Sequence, residues 1–211
     1  VKWIKNIREI KNDHNIFIAN EFFDSLPFKQ FFKINNKWME RFVAIDKNNN
    51  KSFIKINSNI NKIEKKLGFK ISKNQKIIEY SPATLEYLKN ISKKINHKKG
   101  CLLIIDYGYL DDAMKDTMLA IKKHQFTKVL SGFGNSDITY KLNFNILKKI
   151  AKNLKLKCQA ITSQRNFLIS LGIQERAEIL SKNLPFSKKT DIYYRLKRLI
   201  DKNQMGNLFK V

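Results

Sequence analysis

The stretch Asn20-Glu21-Phe22-Phe23-Asp24-Ser25-Leu26-Pro27 carries the most chemically suggestive spacing in the chain. Glu21 and Asp24 are three residues apart, which makes their side chains neighbours on one helical turn. Two carboxylates so placed can hydrogen-bond a polar or cationic substrate group at the mouth of a cleft, and Asn20 adds an amide beside them. A structural role fits the same residues: Asn20 caps a helix, the acids favour its N-terminus, and the phenylalanines and Leu26 pack inward. A second polar group, Asp106-Tyr107-Gly108, closes the apolar run Leu102-Leu103-Ile104-Ile105. There Gly108 suits a turn and Asp106 a cap, while Asp106 and Tyr107 are also candidates for a site at a strand end. Farther on, Asp137 and Thr139 suit either an ordinary turn or a loop ordered over that site.

These residues need a scaffold, and the hydrophobic pattern predicts one. Residues 15–20, 100–108 and 155–162 read as buried strands, with 125–130 as a fourth candidate. Apolar runs that do not alternate imply cover on both faces, as in a parallel sheet between helices. Ser81-Pro82 starts a helix with Leu85, Leu88, Ile91 and Ile95 on one side. Residues 143–154 form another, and 164–171 a third that Gly172 closes. Residues 28–34 and 37–45, joined at Asn35-Asn36, read as a β-hairpin excursion. The Lys/Asn-rich stretch 46–76 is expected to be irregular. Phe22, Phe23, Phe31 and Phe32 belong to the core. The fold class is α/β, with helices crossing over between parallel strands and ligands expected at the strands' carboxyl ends.

Composition narrows the functional classes. The 211 residues hold 42 Lys plus Arg against 18 Asp plus Glu, for a net charge of +24. Apolar residues make up 43% of the chain, enough for a core, which excludes disorder as a whole-chain description. No apolar run approaches the roughly 20 residues of a membrane span. Val1-Lys2-Trp3-Ile4-Lys5-Asn6 shows no signal-peptide pattern and no initiating Met, so the sequence is expected to begin inside something longer. The charge is mostly Lys spread from Lys2 to Lys210, which fits an AT-rich coding bias better than the Arg-rich stripe of a nucleic-acid binder. Cys101 and Cys158 read as small buried strand residues. With His14, His97 and His124 they offer no metal-ligand spacing, and a reduced intracellular setting follows.

Ala19 through Pro27 resembles the ANEFFDALP signature of the MidA family of S-adenosylmethionine-dependent methyltransferases, whose mitochondrial members serve in respiratory complex I assembly. The likeness continues in order through Phe28-Lys29-Gln30-Phe31, Trp38-Met39-Glu40-Arg41 and Ile78-Glu79-Tyr80-Ser81-Pro82. It then runs through Asp106-Tyr107-Gly108, Gly134-Asn135-Ser136-Asp137-Ile138-Thr139, Phe167 to Ile173, and Met205 to Val211. The family's E-x-G-x-G turn after the first strand has no counterpart; the one G-x-G here, Gly132-Phe133-Gly134, lies far downstream. With only seven glycines, residues 1–211 resemble a single incomplete domain, the C-terminal part of a class I methyltransferase with Rossmann-like topology. The resemblance implies S-adenosylmethionine as cofactor and protein arginine as acceptor, with Glu21, Asp24 and Asn20 at the acceptor site. It implies as partners a complex I subunit and a separate N-terminal half, in the mitochondrial matrix or in a bacterial cytoplasm. A non-catalytic relic, or a basic nucleic-acid-binding module, remains the alternative from another functional class.

Overall fold

The computed structural model describes residues 1–11, 13–123, 125–131 and 134–211. The first strand, β1 (Ile16–Asn20), leads through a turn into β2 (Lys29–Ile34) and β3 (Lys37–Ile45). Between the last two, Asn35 and Asn36 have φ of 47° and 61°. A two-residue hairpin turn whose twist matches its strands requires positive φ at both positions, and Asn tolerates it. Residues 46–76 are not irregular as expected, because they hold β4 (Lys51–Asn57) and α1 (Ile60–Leu67). Lys and Asn mask the pattern of β4, yet its backbone pairs with β3 from Met39↔Asn57 to Ile45↔Lys51. In α1, Asn59 caps the first turn, Ile63 and Leu67 are buried, and Gly68 at φ 81° ends the helix.

Next, β5 (Ile77–Tyr80) completes an antiparallel sheet in the order β4-β3-β2-β5. The Ser81 side chain accepts from the Thr84 amide at 3.1 Å and starts α2 (Pro82–Lys98), which leads to β6 (Cys101–Tyr109). A separate small sheet, ordered β8-β7-β9, consists of β7 (Leu119–Lys122), β8 (Gln125–Thr127) and β9 (Asp137–Thr139). The candidate strand at 125–130 therefore lies in antiparallel pairing and outside the parallel sheet. After β10 (Leu142–Asn143), Asn143 caps α3 (Phe144–Asn153). Residues 155–162 do not form the expected strand. Their ladder contacts come at the far end, where Thr162 and Val211 exchange backbone hydrogen bonds of 2.9 Å and Ser163 bridges Lys210. The helices α4 (Gln164–Ser170), α5 (Ile173–Ser181), α6 (Phe186–Ile200) and α7 (Met205–Leu208) then lead to β11 (Phe209–Lys210), too short to pair with the rest of that segment.

The parallel sheet is organised around β6. It pairs in parallel with β1 from Ile16↔Cys101 to Asn20↔Ile105, in parallel with β10 at Gly108 and Tyr109, and antiparallel with β11 at Asp106 and Tyr107. The core spreads over both larger sheets and the helices, with Phe23, Ile78 and Phe209 fully buried. Two further expectations need correction. Cys101 is exposed and Cys158 only half-buried, because Cys101 shares a sheet face with Ile16, itself 75% exposed, and Cys158 lies outside any strand. Gly108 sits inside β6 and makes no turn: a Cβ there would stand 2.4 Å from Cε2 of buried Phe144. Gly108→Ala should thus force the Phe144 ring aside and cost about 2 kcal/mol by overpacking, measurable as a lower midpoint in urea unfolding.

Candidate functional site

The site is built where β1 ends against the middle of β6, which runs on past Ile105 to Tyr109. The Glu21 amide donates to the Ile105 carbonyl at 2.9 Å, which extends the ladder one residue past Asn20. Glu21 then takes φ 46° and the chain turns away. No helix follows, so Asn20 does not cap one, and Glu21 and Asp24 do not share a helical turn. The reason is a competing acceptor: Oδ2 of Asp106 takes the amides of Phe23 and Asp24 at 3.0 and 3.3 Å. Tied to β6 in this way, residues 21–24 send Phe23 into the core at 0% exposure and leave Glu21 exposed, while Asp24 is only 7% exposed.

Asp24 therefore faces Asp106 as its carboxylate neighbour. Asp106 is fully buried, and its Oδ1 accepts the Tyr107 amide at 2.8 Å. Loss of hydration, reinforced by the charge of Asp24, pushes the Asp106 carboxyl up to about 7 against the opposing pull of three backbone amides. The Thr139 hydroxyl reaches both Oδ2 of Asp24 at 3.1 Å and its carbonyl at 3.3 Å. The Tyr107 ring packs against Phe209 at a tilt of 41° with centroids 4.1 Å apart, and its phenol is pushed up by burial and then by the charges of Glu21 and Asp24. The structure thus gathers Asn20, Glu21, Asp24, Asp106 and Tyr107 at one strand end. Asp137 stays exposed at the start of β9, and it is Thr139, two residues on, that reaches the cluster.

Sequence reasoning passed over a second polar cluster next to this one. Gln30 and Glu79 oppose each other across β2 and β5, and both are buried. The Gln30 amide donates to Glu79 and, at 2.7 Å, to Asp116. Arg41 donates to Gln30 at 2.8 Å and to Asp116 at 3.0 Å. Thr117 donates through both its amide and its hydroxyl to Glu79. Burial raises the Glu79 carboxyl, and its hydrogen bonds from Thr117 and Gln30 oppose that rise. Tyr140, 4% exposed and stacked on Phe28 at 4.4 Å, lies within the electrostatic reach of Glu79, Asp106 and Asp24 and so stands between the two clusters. The available signal was polar residues facing each other at buried strand positions.

Around the carboxyl end of β1 the described residues offer an amide, carboxylates and a phenol. They do not supply a glycine-rich cradle. Gly68 closes α1, Gly100 and Gly108 sit inside tight packing, Gly172 links two helices, and Gly206 fits against the carbonyls of Ile200 and Asp201. A Cβ placed on Gly134 would meet nothing within 4 Å, while Gly132 and Phe133 of the G-x-G lie outside the described residues. Among the described residues there is no His/Cys/Asp/Glu group that could hold a metal ion, and no helix is long and apolar enough to cross a membrane.

The described residues thus form a parallel sheet in the order β1-β6-β10, with β11 antiparallel beside β6. Two solved structures from Burkholderia thailandensis share the fold. One, crystallised with S-adenosyl-homocysteine, superposes with a TM-score of 0.76 at 19% identity over 99% of this chain and 55% of that one. The other, a native structure, gives a TM-score of 0.77 at 19% identity over 99% and 56%. The family model described as "Putative S-adenosyl-L-methionine-dependent methyltransferase" matches residues 1–162, and the chain belongs to that family. Relatives include the mitochondrial protein arginine methyltransferase NDUFAF7 of Danio rerio, 28% identical over all of this chain and 49% of its own length. The Homo sapiens protein of that name is 25% identical over 99% of this chain and 47% of its own. The chain spans about half the length of the curated relatives it matches.

The Asp106 carboxyl gives a testable pH dependence. Its folded value of about 7 stands above the ordinary aspartate value of 3.8, so the folded state binds the proton more tightly. Its contribution to stability is then full below about pH 4 and is lost as pH rises toward 7. Urea unfolding across that window should show the wild type losing stability relative to the Asp106→Asn variant as pH rises. The Asp106→Asn variant should lose that part of the slope.

Proposed function

We propose that this chain forms the acceptor side of an S-adenosylmethionine-dependent methyltransferase that modifies arginine side chains of proteins. The observation that carries the reading is the end of β1 against β6, where exposed Asn20 and Glu21 stand beside the buried Asp24 and Asp106. The relatives named as protein arginine methyltransferases support the acceptor class. A guanidinium is a planar cation with five N–H donors and binds carboxylates in fixed geometry. Glu21 accepts from the nitrogens that do not react and so turns the remaining one toward the methyl donor, with Asn20 lining the same wall. Asp24, fixed by Thr139, adds negative field under that site. The cofactor supplies a methyl group already activated on a sulfonium, so the protein's task is mainly alignment.

Residues outside this chain contribute the cofactor's glycine-rich cradle. Among the described residues β1 pairs only with β6, and Ile16 and Ile18 are 75% and 68% exposed. An N-terminal half that adds strands beside β1 covers this apolar surface, as unpaired apolar edges require. The protein substrate that the family resemblance implies is a subunit of respiratory complex I, met in the mitochondrial matrix in a eukaryote or in the cytoplasm of a bacterium.

Reconstitution with the N-terminal half of a relative, followed by transfer of labelled methyl to an arginine-containing protein substrate, tests the assignment. Glu21→Gln should lower turnover about 100-fold, the usual scale for removing one preorganised polar contact, with substrate binding retained. Unchanged turnover would sink the role of Glu21. The 211 residues alone should bind S-adenosylmethionine poorly, and micromolar binding in calorimetry would overturn the division of labour.

A further inference from the structure

Arg41, Gln30, Glu79, Asp116 and Thr117 form a continuous polar path from the antiparallel sheet to the strand-end acids. The path begins at Arg41 on β3, whose guanidinium lies over the rings of Phe32 and Phe53, 4.3 and 4.9 Å from their centroids, which fixes its plane. Arg41 and Gln30 hold Asp116, the residue before Thr117. Thr117 is then gripped from both sides. Its amide donates to Glu79 at 3.2 Å and its hydroxyl donates to the same carboxylate. With its proton so committed, the hydroxyl oxygen accepts the Lys141 amide at 2.8 Å. Lys141 lies two residues after Thr139, whose hydroxyl holds Asp24 at 3.1 Å, and Tyr140 between them is pinned by its stack on Phe28.

We propose that Thr117 is a positioning residue: anchored by Glu79, it fixes residues 139–141 and through the Thr139 hydroxyl sets the place of the Asp24 carboxylate. The significance for methyl transfer rests on the acceptor-site reading given above, while the linkage itself can be measured without it. Buried networks in which each member has its partners behave as rigid units, and losing one member leaves a buried group unpaired. Here the unpaired groups would be the Lys141 amide and one oxygen of Glu79. The segment between Thr117 and Tyr140 carries the small sheet of β7, β8 and β9, and β9 ends at Thr139. The same clamp thereby sets where that sheet meets the site.

The test uses the full 211-residue chain labelled with 13C at the aspartate carboxyls and observed by NMR, comparing Thr117→Val with Thr117→Ser. Valine keeps the volume and removes both hydroxyl bonds; serine keeps them. The Asp24 carboxyl resonance should move in Thr117→Val and return to its wild-type position in Thr117→Ser. An Asp24 resonance unchanged in a folded Thr117→Val variant, even one with a lowered melting temperature, would mean that Thr117 stabilises the fold without positioning the acid. Should that variant fail to fold, Asp116→Asn is read in the same way, since it weakens the grip of Arg41 and Gln30 at a part-exposed position. In the reconstituted enzyme, Thr117→Val should lower kcat about 10-fold with little change in KM, the pattern of a misplaced group, and Thr117→Ser should restore it. If Asp24→Asn leaves turnover intact while the resonance shift is present, the acceptor-site reading fails and the linkage stands.

Discussion

The Asp106 carboxylate is the point on which the site depends. It sits at the place in β6 where the strand passes from pairing with β1 to pairing with β11 and β10, and it is wholly buried. Through the accepted amides of Phe23 and Asp24 it joins the chain beyond β1 to the adjacent strand, while the Tyr107 amide fixes its other oxygen. A buried carboxylate without donors is costly, whereas one with several becomes a rigid connector. Two of the donors, the Phe23 and Asp24 amides, belong to the turn that also carries exposed Glu21. Packing and site geometry are here one constraint. Phe23 enters the core because its amide is held at Asp106, and the exposed wall exists because Phe23 does so.

Charge is arranged accordingly. The chain carries +24 overall, yet the strand ends collect Glu21, Asp24 and Asp106, with Glu79 close behind Tyr140. A local negative field inside a strongly basic chain is suited to a cationic side chain. The lysines occur along the whole sequence, and some of the ion pairs they make, such as Lys115 with Asp111, lie at the surface. Such pairs contribute little to stability. Asp106 and Asp24 are held instead by backbone amides and by the Thr139 hydroxyl.

Much of the architecture was legible in the sequence because it rests on local rules. The Asn35-Asn36 hairpin, the Ser81-Pro82 and Asn143 helix starts, the Gly172 break and both strands of the central pair were readable from turn chemistry, capping and continuous apolar runs. The failures share a different cause. In β4 the partner strand supplies the order, and lysines and asparagines conceal its apolar residues. Residues 155–162 have a strand's pattern, but β11 offers two residues of pairing, and an extended segment becomes a strand only with a neighbour. The spacing of Glu21 and Asp24 indicated a helical turn, and a carboxylate more than eighty residues away in sequence took the amides that would have started it.

The same logic explains which parts of the candidate site were visible in the sequence. Asn20, Glu21 and Asp24 stand in a compact peptide, so residue type and strand-end position were enough to mark them as candidates. Their arrangement was not visible, because it depends on contacts between distant segments: Asp24 with Thr139, and Asp106 with Phe23. Glu79, Gln30, Arg41, Asp116 and Thr117 are spread across β2, β3, β5 and the approach to β7, and each taken alone reads as an ordinary surface residue. Only the register that sets Gln30 opposite Glu79 reveals a buried network. An antiparallel excursion inserted after a parallel strand thus does more than decorate the sheet: its polar inner face reaches, through Thr117 and Lys141, the segment that holds Asp24.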